Sequence, residues 1–307
     1  MERMLISGGN GFLGSHLVDK AISGGIDVTV VDDLSTSKKR QIPKEATFIK
    51  KSIEDFQTSE KFDYVVHLAA RPSPEDYMQN PLSTIDSNDI GTRRMLEIAR
   101  MGKSIFMYTS TSEVYGDPKV LPIPEDYFGY VNPNGVRSCY DESKRFSEAL
   151  IKAYERQFDL DVRIQRPFNV YGPRIREDGF YGRVIPRFID QALNGKPLTV
   201  HGDGKQTRSY LYYTDWIEAT WKFLKVPDAK GEVLNIGAKD EITVLDLAKK
   251  IISITDSRSR IVHMEPRAED PKRRSADSTK AKEVLGWTPR TGLESGLEMT
   301  VRWLKDR

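Results

Sequence analysis

Short apolar runs alternate with helix-period stretches through the first half of the chain. Residues 4–7, 28–31, 64–68 and 105–110 are apolar on both faces, the pattern of strands buried inside a sheet. Residues 14–23 and 88–101 between them carry helical spacing. Residues 140–158 predict an amphipathic helix with Phe146, Ala149, Leu150, Ala153 and Tyr154 on its apolar face. This alternation predicts an α/β fold, a doubly wound parallel sheet covered by helices on both sides. After a further strand at 162–165 the character changes. Residues 166–208 are rich in Gly, Pro, Arg and Tyr, which suits loops that build a ligand site. Helices are expected near 214–224 and 244–253, and the rest reads as short, charged and mostly helical. The chain divides on this pattern into residues 1–165, carrying the sheet, and 166–307, a smaller substrate domain partly interleaved with it.

Composition narrows the class. The 307 residues are 38% hydrophobic and 30% charged, ordinary for a globular protein. Forty-seven basic and 45 acidic residues give a net charge of +2, so neither nucleic acid nor an acidic partner is implied. Cys139 is the single cysteine, which excludes an internal disulfide framework and a cysteine-rich zinc site, and no metal is expected. The N-terminus shows no leader-like apolar stretch and no window is long enough to span a membrane, so the expectation is a cytoplasmic protein.

The first strand runs into Gly8-Gly9-Asn10-Gly11-Phe12-Leu13-Gly14, which then opens a helix. Glycines there allow a sharp turn and close approach of a pyrophosphate to a helix N-terminus. Gly8, Gly11, Phe12, Leu13 and Gly14 are therefore candidate cofactor residues. Asp32, 18 residues beyond Gly14 at the end of the second strand, suits the ribose hydroxyls of a dinucleotide and would repel a 2′-phosphate. The cofactor expected is NAD.

Tyrosine four residues before lysine occurs twice, at Tyr115/Lys119 and Tyr140/Lys144. The two side chains share a face only on a helix, and Gly116-Asp117-Pro118 forbids one in the first case. Tyr140 and Lys144 are thus the candidate catalytic pair. Alcohol oxidation needs a base, and a tyrosine of ordinary pKa, about 10, needs a neighbouring cation to serve as phenolate. Lysine at that spacing is expected to lower it. Thr111, Ser112 and Glu113 follow an apolar strand at the sheet edge where ligands bind. Thr111 can hydrogen-bond a sugar oxygen, and Glu113 can act as acid, base or electrostatic partner.

Together these motifs resemble the extended short-chain dehydrogenase/reductase family of nucleotide-sugar epimerases, dehydratases and decarboxylases, over essentially the whole chain. The resemblance extends through 88–92, 166–173, 201–208 and Gly286-Trp287-Thr288-Pro289. It implies a Rossmann-type sheet, a UDP-sugar substrate held by Asn169, Arg183 and Arg208, and a homodimer formed through helices 88–101 and 140–158. Ser52 stands where many members have an aspartate, which places adenine recognition around Ile53. The pair Ser112-Glu113 differs from the Asp-Glu of glucose-type dehydratases and matches decarboxylases of UDP-glucuronate, but also GDP-mannose dehydratases, so it does not decide alone. Segment 132–145, although Asn134 and Val136 depart from it, and Asp270-Pro271-Lys272-Arg273-Arg274 also resemble that group, where the position of Arg274 is functional. The expectation is decarboxylation of UDP-glucuronate through a 4-keto sugar. A 4-epimerase for UDP-glucose, UDP-galactose or UDP-glucuronate stays open, a dehydratase is disfavoured, and an NAD-binding regulator is opposed by the intact Tyr140/Lys144 pair.

Overall fold

The computed structural model describes residues 1–37, 39–176, 183–267 and 271–306. Its central sheet has seven strands: β1 (Arg3–Ser7), β2 (Asp27–Asp32), β3 (Thr47–Lys50), β4 (Tyr64–His67), β5 (Ile105–Thr109), β6 (Val162–Pro167) and, from much later in the chain, Val233–Ile236. Across the sheet the order is β3-β2-β1-β4-β5-β6 and then Val233–Ile236, with every pairing parallel. The apolar runs of β1, β2, β4 and β5 are sealed on both faces, as the alternation predicts. The pattern missed β3, an edge strand with exposed ends, and Val233–Ile236.

Helices cover both faces. On one side α1 (Phe12–Ser23) and the helix Tyr213–Lys225 bury Leu17, Val18, Trp216 and Phe223. Behind a short helix, α2 (Pro74–Gln79), the other side is covered by α3 (Pro81–Gly102) and α4 (Ser138–Phe158), which bury Met95, Leu96, Ile151 and Tyr154.

Two expectations about these elements are corrected. Only part of the apolar face read for α4 is covered: Tyr154 is buried and Leu150 packs on the core, but Phe146 is 45% exposed and Ala149 is exposed, while Tyr140, Ser143, Lys144, Ser147 and Glu148 are turned inward. Its first half buries hydrogen-bonded polar side chains, Ser143, Lys144 and Ser147, and its second half buries the apolar Ile151. Residues 166–208 are also more regular than expected. They include the helix Val184–Leu193, whose Pro186 sits in the first turn, where proline is tolerated. With Val244–Thr255 and Leu293–Lys305 this helix packs a second core around Phe188, Ile189, Leu247, Ile251 and Leu297. The latter half also holds the short strands Glu241–Thr243, Ile261–Met264 and Arg273–Arg274, besides its helices.

The expected division after residue 165 falls inside β6, and residues 213–225 and 233–236 return to the first layer. Strand order reverses between β1 and β4, which opens a crevice at the carboxyl ends of the strands. The turns after β1, β4, β5 and β6 line one continuous cleft there. No helix among the described residues is long and apolar enough to cross a membrane.

Candidate active site

One end of the cleft is the glycine turn. A Cβ on Gly14 would lie 2.2 Å from the Gly8 carbonyl oxygen, and one on Gly8, whose φ is +69°, 2.6 Å from the Ala69 nitrogen. Those two glycines are demanded by the chain's own packing. Gly11 is different: its Cβ would meet only the Gly8 oxygen, at 3.3 Å, so its bareness opens space toward the cleft. Gly11 caps α1 without any side-chain acceptor for the first amides, and Phe12 and Leu13 follow it. This bare, donor-rich cradle fits a pyrophosphate.

Asp32 stands beside it. One carboxylate oxygen accepts from the Asn10 amide at 3.0 Å and the other from the Leu34 amide at 2.9 Å. Burial raises its pKa, with both amides opposing. Ile53 is buried against Gly91 and lines the same end. Sequence reasoning overlooked Asn10. Fully buried, it donates to the Ser37 hydroxyl and the Lys39 carbonyl and accepts from the Gln41 amide, tying the glycine turn to the loop beyond β2.

At the centre of the cleft, Thr111, Ser112, Glu113, Tyr140 and Lys144 come together. The Thr111 hydroxyl oxygen accepts from the Glu113 amide at 3.2 Å, capping a turn of 3-10 helix, and Thr111 also hydrogen-bonds Tyr140. Ser112 is buried in the same turn. Tyr115 ends it as a structural residue, its hydroxyl donating to Asn235 and accepting from Arg166.

The expected lowering of the Tyr140 phenol is not met by the chain's own groups. Burial pushes it up to about 12, against Arg183 and the Thr111 hydrogen bond. Lys144, itself pushed down to about 7 by burial with Glu148 opposing, donates to the Thr109 carbonyl at 3.0 Å and lies 5.9 Å from the Tyr140 ring centroid. Tyr77 of α2 stacks flat on Tyr140, with centroids 5.0 Å apart and planes at 2°. That contact joins segments 63 residues apart and left no local signal.

Glu113 is gripped by two guanidiniums. Arg274 forks onto both its oxygens, and Arg137 reaches one of them at 2.5 Å. Burial works against its charge, but Arg274, Arg137 and Arg208 hold the carboxyl well below the usual range. Glu113 is therefore an anion here. Arg274, expected to face a substrate carboxylate, is already paired within the protein. Arg137 was no separate candidate on sequence, although it heads the Tyr140 segment.

Strand pairing explains how Arg208 and Arg274 meet: the two residues are directly opposite in parallel strands, and both are buried. Arg208 donates to its neighbour's Thr207 carbonyl at 2.8 Å. Arg183 precedes the helix Val184–Leu193 and lines the cleft, as does Asn169, whose amide donates to the Ser209 carbonyl at 2.9 Å. At the far end Arg267 pairs with Glu75 of α2, beside Arg187 and His201. Asp270, which opens the segment ending at Arg274, lies outside the described residues.

Known proteins resemble this chain in sequence and in fold. A UDP-glucuronic acid decarboxylase of Danio rerio is 41% identical over 306 residues, 98% of this chain and 72% of the relative. One from Arabidopsis thaliana is 43% identical over 97% of this chain and 87% of its own length. Among solved structures, the Thermotoga maritima UDP-glucose 4-epimerase with UDP-glucose superposes with a TM-score of 0.93 at 34% identity, covering 99% of both chains. The Bacillus cereus UDP-glucuronic acid 4-epimerase, in complex with UDP-glucuronic acid and NAD, gives 0.89 at 30% identity, again over 99% of each chain. The sequence profile of the NAD dependent epimerase/dehydratase family matches residues 4–237, and the chain belongs to that family.

Proposed function

We propose that this enzyme decarboxylates UDP-glucuronate to a UDP-pentose through a 4-keto sugar, with NAD recycled in every turnover. The observation that carries the reading is the charge beside Tyr140. Three guanidiniums, of Arg137, Arg208 and Arg274, act on one wall against the carboxylates of Glu113 and, behind Arg137, Asp141. A uronate brings a carboxylate that this basic wall would attract, and a neutral hexose does not. Identity to decarboxylases, 41 and 43%, against 30 and 34% to the solved epimerases, supports the same choice.

The glycine turn and Asp32 would hold NAD, which when bound supplies a hydride acceptor for C4, returns that hydride later and adds a positive ring favouring the Tyr140 phenolate. Tyr140 takes the C4 hydroxyl proton, leaving a ketone β to the carboxylate. The bond from C5 to the carboxylate then breaks. Carbon dioxide leaves, the electron pair enters a C4–C5 enolate, and Thr111 donates to its oxygen. C5 takes up a proton, and Tyr140 returns its own to the C4 oxygen as C4 is reduced. Glu113, held anionic, keeps Arg137 and Arg274 in place and is not the proton donor.

Mass spectrometry after incubation with UDP-glucuronate and NAD is expected to show loss of one carbon dioxide without net NAD consumption. A product of unchanged mass would assign the enzyme to the 4-epimerases instead. Tyr140→Phe should slow turnover by roughly 10²–10⁴-fold. The proposal includes a cytoplasmic homodimer. Its supports are the single free cysteine and the exposed Leu82, Ile85 and Phe146 on α3 and α4.

A further inference from the structure

The inward face of α4 carries three ionisable side chains one turn apart: Tyr140, Lys144 and Glu148. The first two have roles above, and Glu148 has none. Its carboxylate is nearly sealed from solvent and fully engaged. One oxygen accepts from the Ser110 hydroxyl at 2.5 Å and from Arg166 Nε at 2.9 Å, and the other accepts from a second Arg166 nitrogen at 2.5 Å. Arg166 is immobilised in turn, donating to the Tyr115 hydroxyl at 2.7 Å and the Glu125 carbonyl at 2.9 Å. A fork from β6 thus fixes the orientation of a buried anion.

Lys144 lies one turn earlier on the same face. It is 2% exposed, with its ammonium on the Thr109 carbonyl and 4.6 Å from the Tyr108 ring centroid. The titratable groups packed around it are His67 from β4, Tyr108 from β5, and Tyr140 and Glu148 from its own helix, with Arg166 of β6 behind Glu148. Glu148 is the carboxylate that opposes the effect of burial on the ammonium. Ser110 follows Thr109 directly, so the same carboxylate pins the segment whose carbonyl receives Lys144.

We infer that Glu148 is a positioning residue for proton transfer: held by the Arg166 fork, it fixes a buried carboxylate one turn behind Lys144 and locks residues 109–113 against α4. It acts through Lys144 and Ser110 and touches no reacting atom. The inference rests on Tyr140 and Lys144 being the catalytic pair. That assignment fails separately, if Tyr140→Phe retains full turnover.

The test reads Lys144 directly, without a substrate. In NAD-loaded protein labelled with ¹⁵N-lysine, the Lys144 resonance is assigned by its loss in Lys144→Arg and followed against pH. Glu148→Gln is expected to move the Lys144 midpoint down by about one unit, because an anion favouring the ammonium is gone. The alkaline limb of turnover with UDP-glucuronate should move the same way, with KM within about twofold and kcat down about tenfold. Ser110→Ala keeps the carboxylate and its fork, so it should leave the midpoint in place and lower kcat about tenfold. An unchanged Lys144 midpoint in Glu148→Gln, with only a lower melting temperature, overturns the inference. Should Glu148→Gln not fold, full turnover in Ser110→Ala overturns it equally. Absence of turnover of UDP-glucuronate by the unmodified enzyme would remove the substrate reading while the lysine titration still decides the role of Glu148.

Discussion

His67 is wholly buried between the Ser7 hydroxyl, 2.6 Å from Nδ1, and the Thr92 hydroxyl, 3.2 Å from Nε2. Burial, aided by the Lys144 charge, lowers its pKa to about 3, so it stays neutral in the fold. His16, stacked on Tyr213, is lowered to about 4 by burial. In both, the unfolded chain binds a proton more readily than the folded one. Their stabilising effect is complete above the ordinary histidine value of 6.5 and is lost as pH falls through that value toward 4 and 3. Glu113, also lowered, adds a second loss below its ordinary 4.5. Melting temperature is therefore expected to decline from mildly acid pH downward. A flat profile between pH 7 and 4 would contradict the burial of both rings.

Removing a single guanidinium from the Glu113 pair should also be costly. Arg274→Met leaves a buried carboxylate short of its fork and is expected to destabilise by about 3 kcal/mol in urea unfolding. Asp32→Ala removes the group proposed for the ribose hydroxyls. Calorimetry should show NAD binding weakened by roughly tenfold or more and the margin over NADP reduced. Equal binding of both cofactors by the unmodified protein would refute the placement of Asp32.

At the scale of elements, legibility in the sequence depended on whether a signal was local. The glycine turn and the Tyr140/Lys144 spacing are each contained within one short segment, and both lie where the pattern put them. Arg208 and Arg274 meet only through strand pairing, and Tyr77 reaches Tyr140 only through packing of α2 on α4, so no spacing along the chain announces either contact. Helix α4 misled for a further reason. Periodicity identifies two faces without saying which is covered, and here polar side chains face the site while Phe146 points out. An outward apolar stripe is what a subunit interface requires. Phe146→Glu is accordingly expected to give a monomer mass in light scattering at micromolar concentration, with the fold intact by circular dichroism. A monomer mass for the unmodified protein would refute the homodimer.

At the scale of the molecule, the two halves grip each other across the cleft. Arg267 meets Glu75 at the far end, Arg174 meets Asp19 at 2.7 Å beside α1, and Arg176 donates to the Thr36 carbonyl at 2.6 Å. The strand Val233–Ile236 goes further, since it completes the sheet that holds the glycine turn. That has a consequence for synthesis. A nascent chain that has reached only the end of β6 presents that strand's hydrogen-bonding edge unpaired until residue 236 has left the ribosome. Cofactor capture should therefore come late in translation. A 1–232 fragment is expected to aggregate or to bind no NAD, even though it contains every residue assigned here to the cofactor. A soluble 1–232 fragment that binds NAD like the full chain would show that the sheet closes without its last strand.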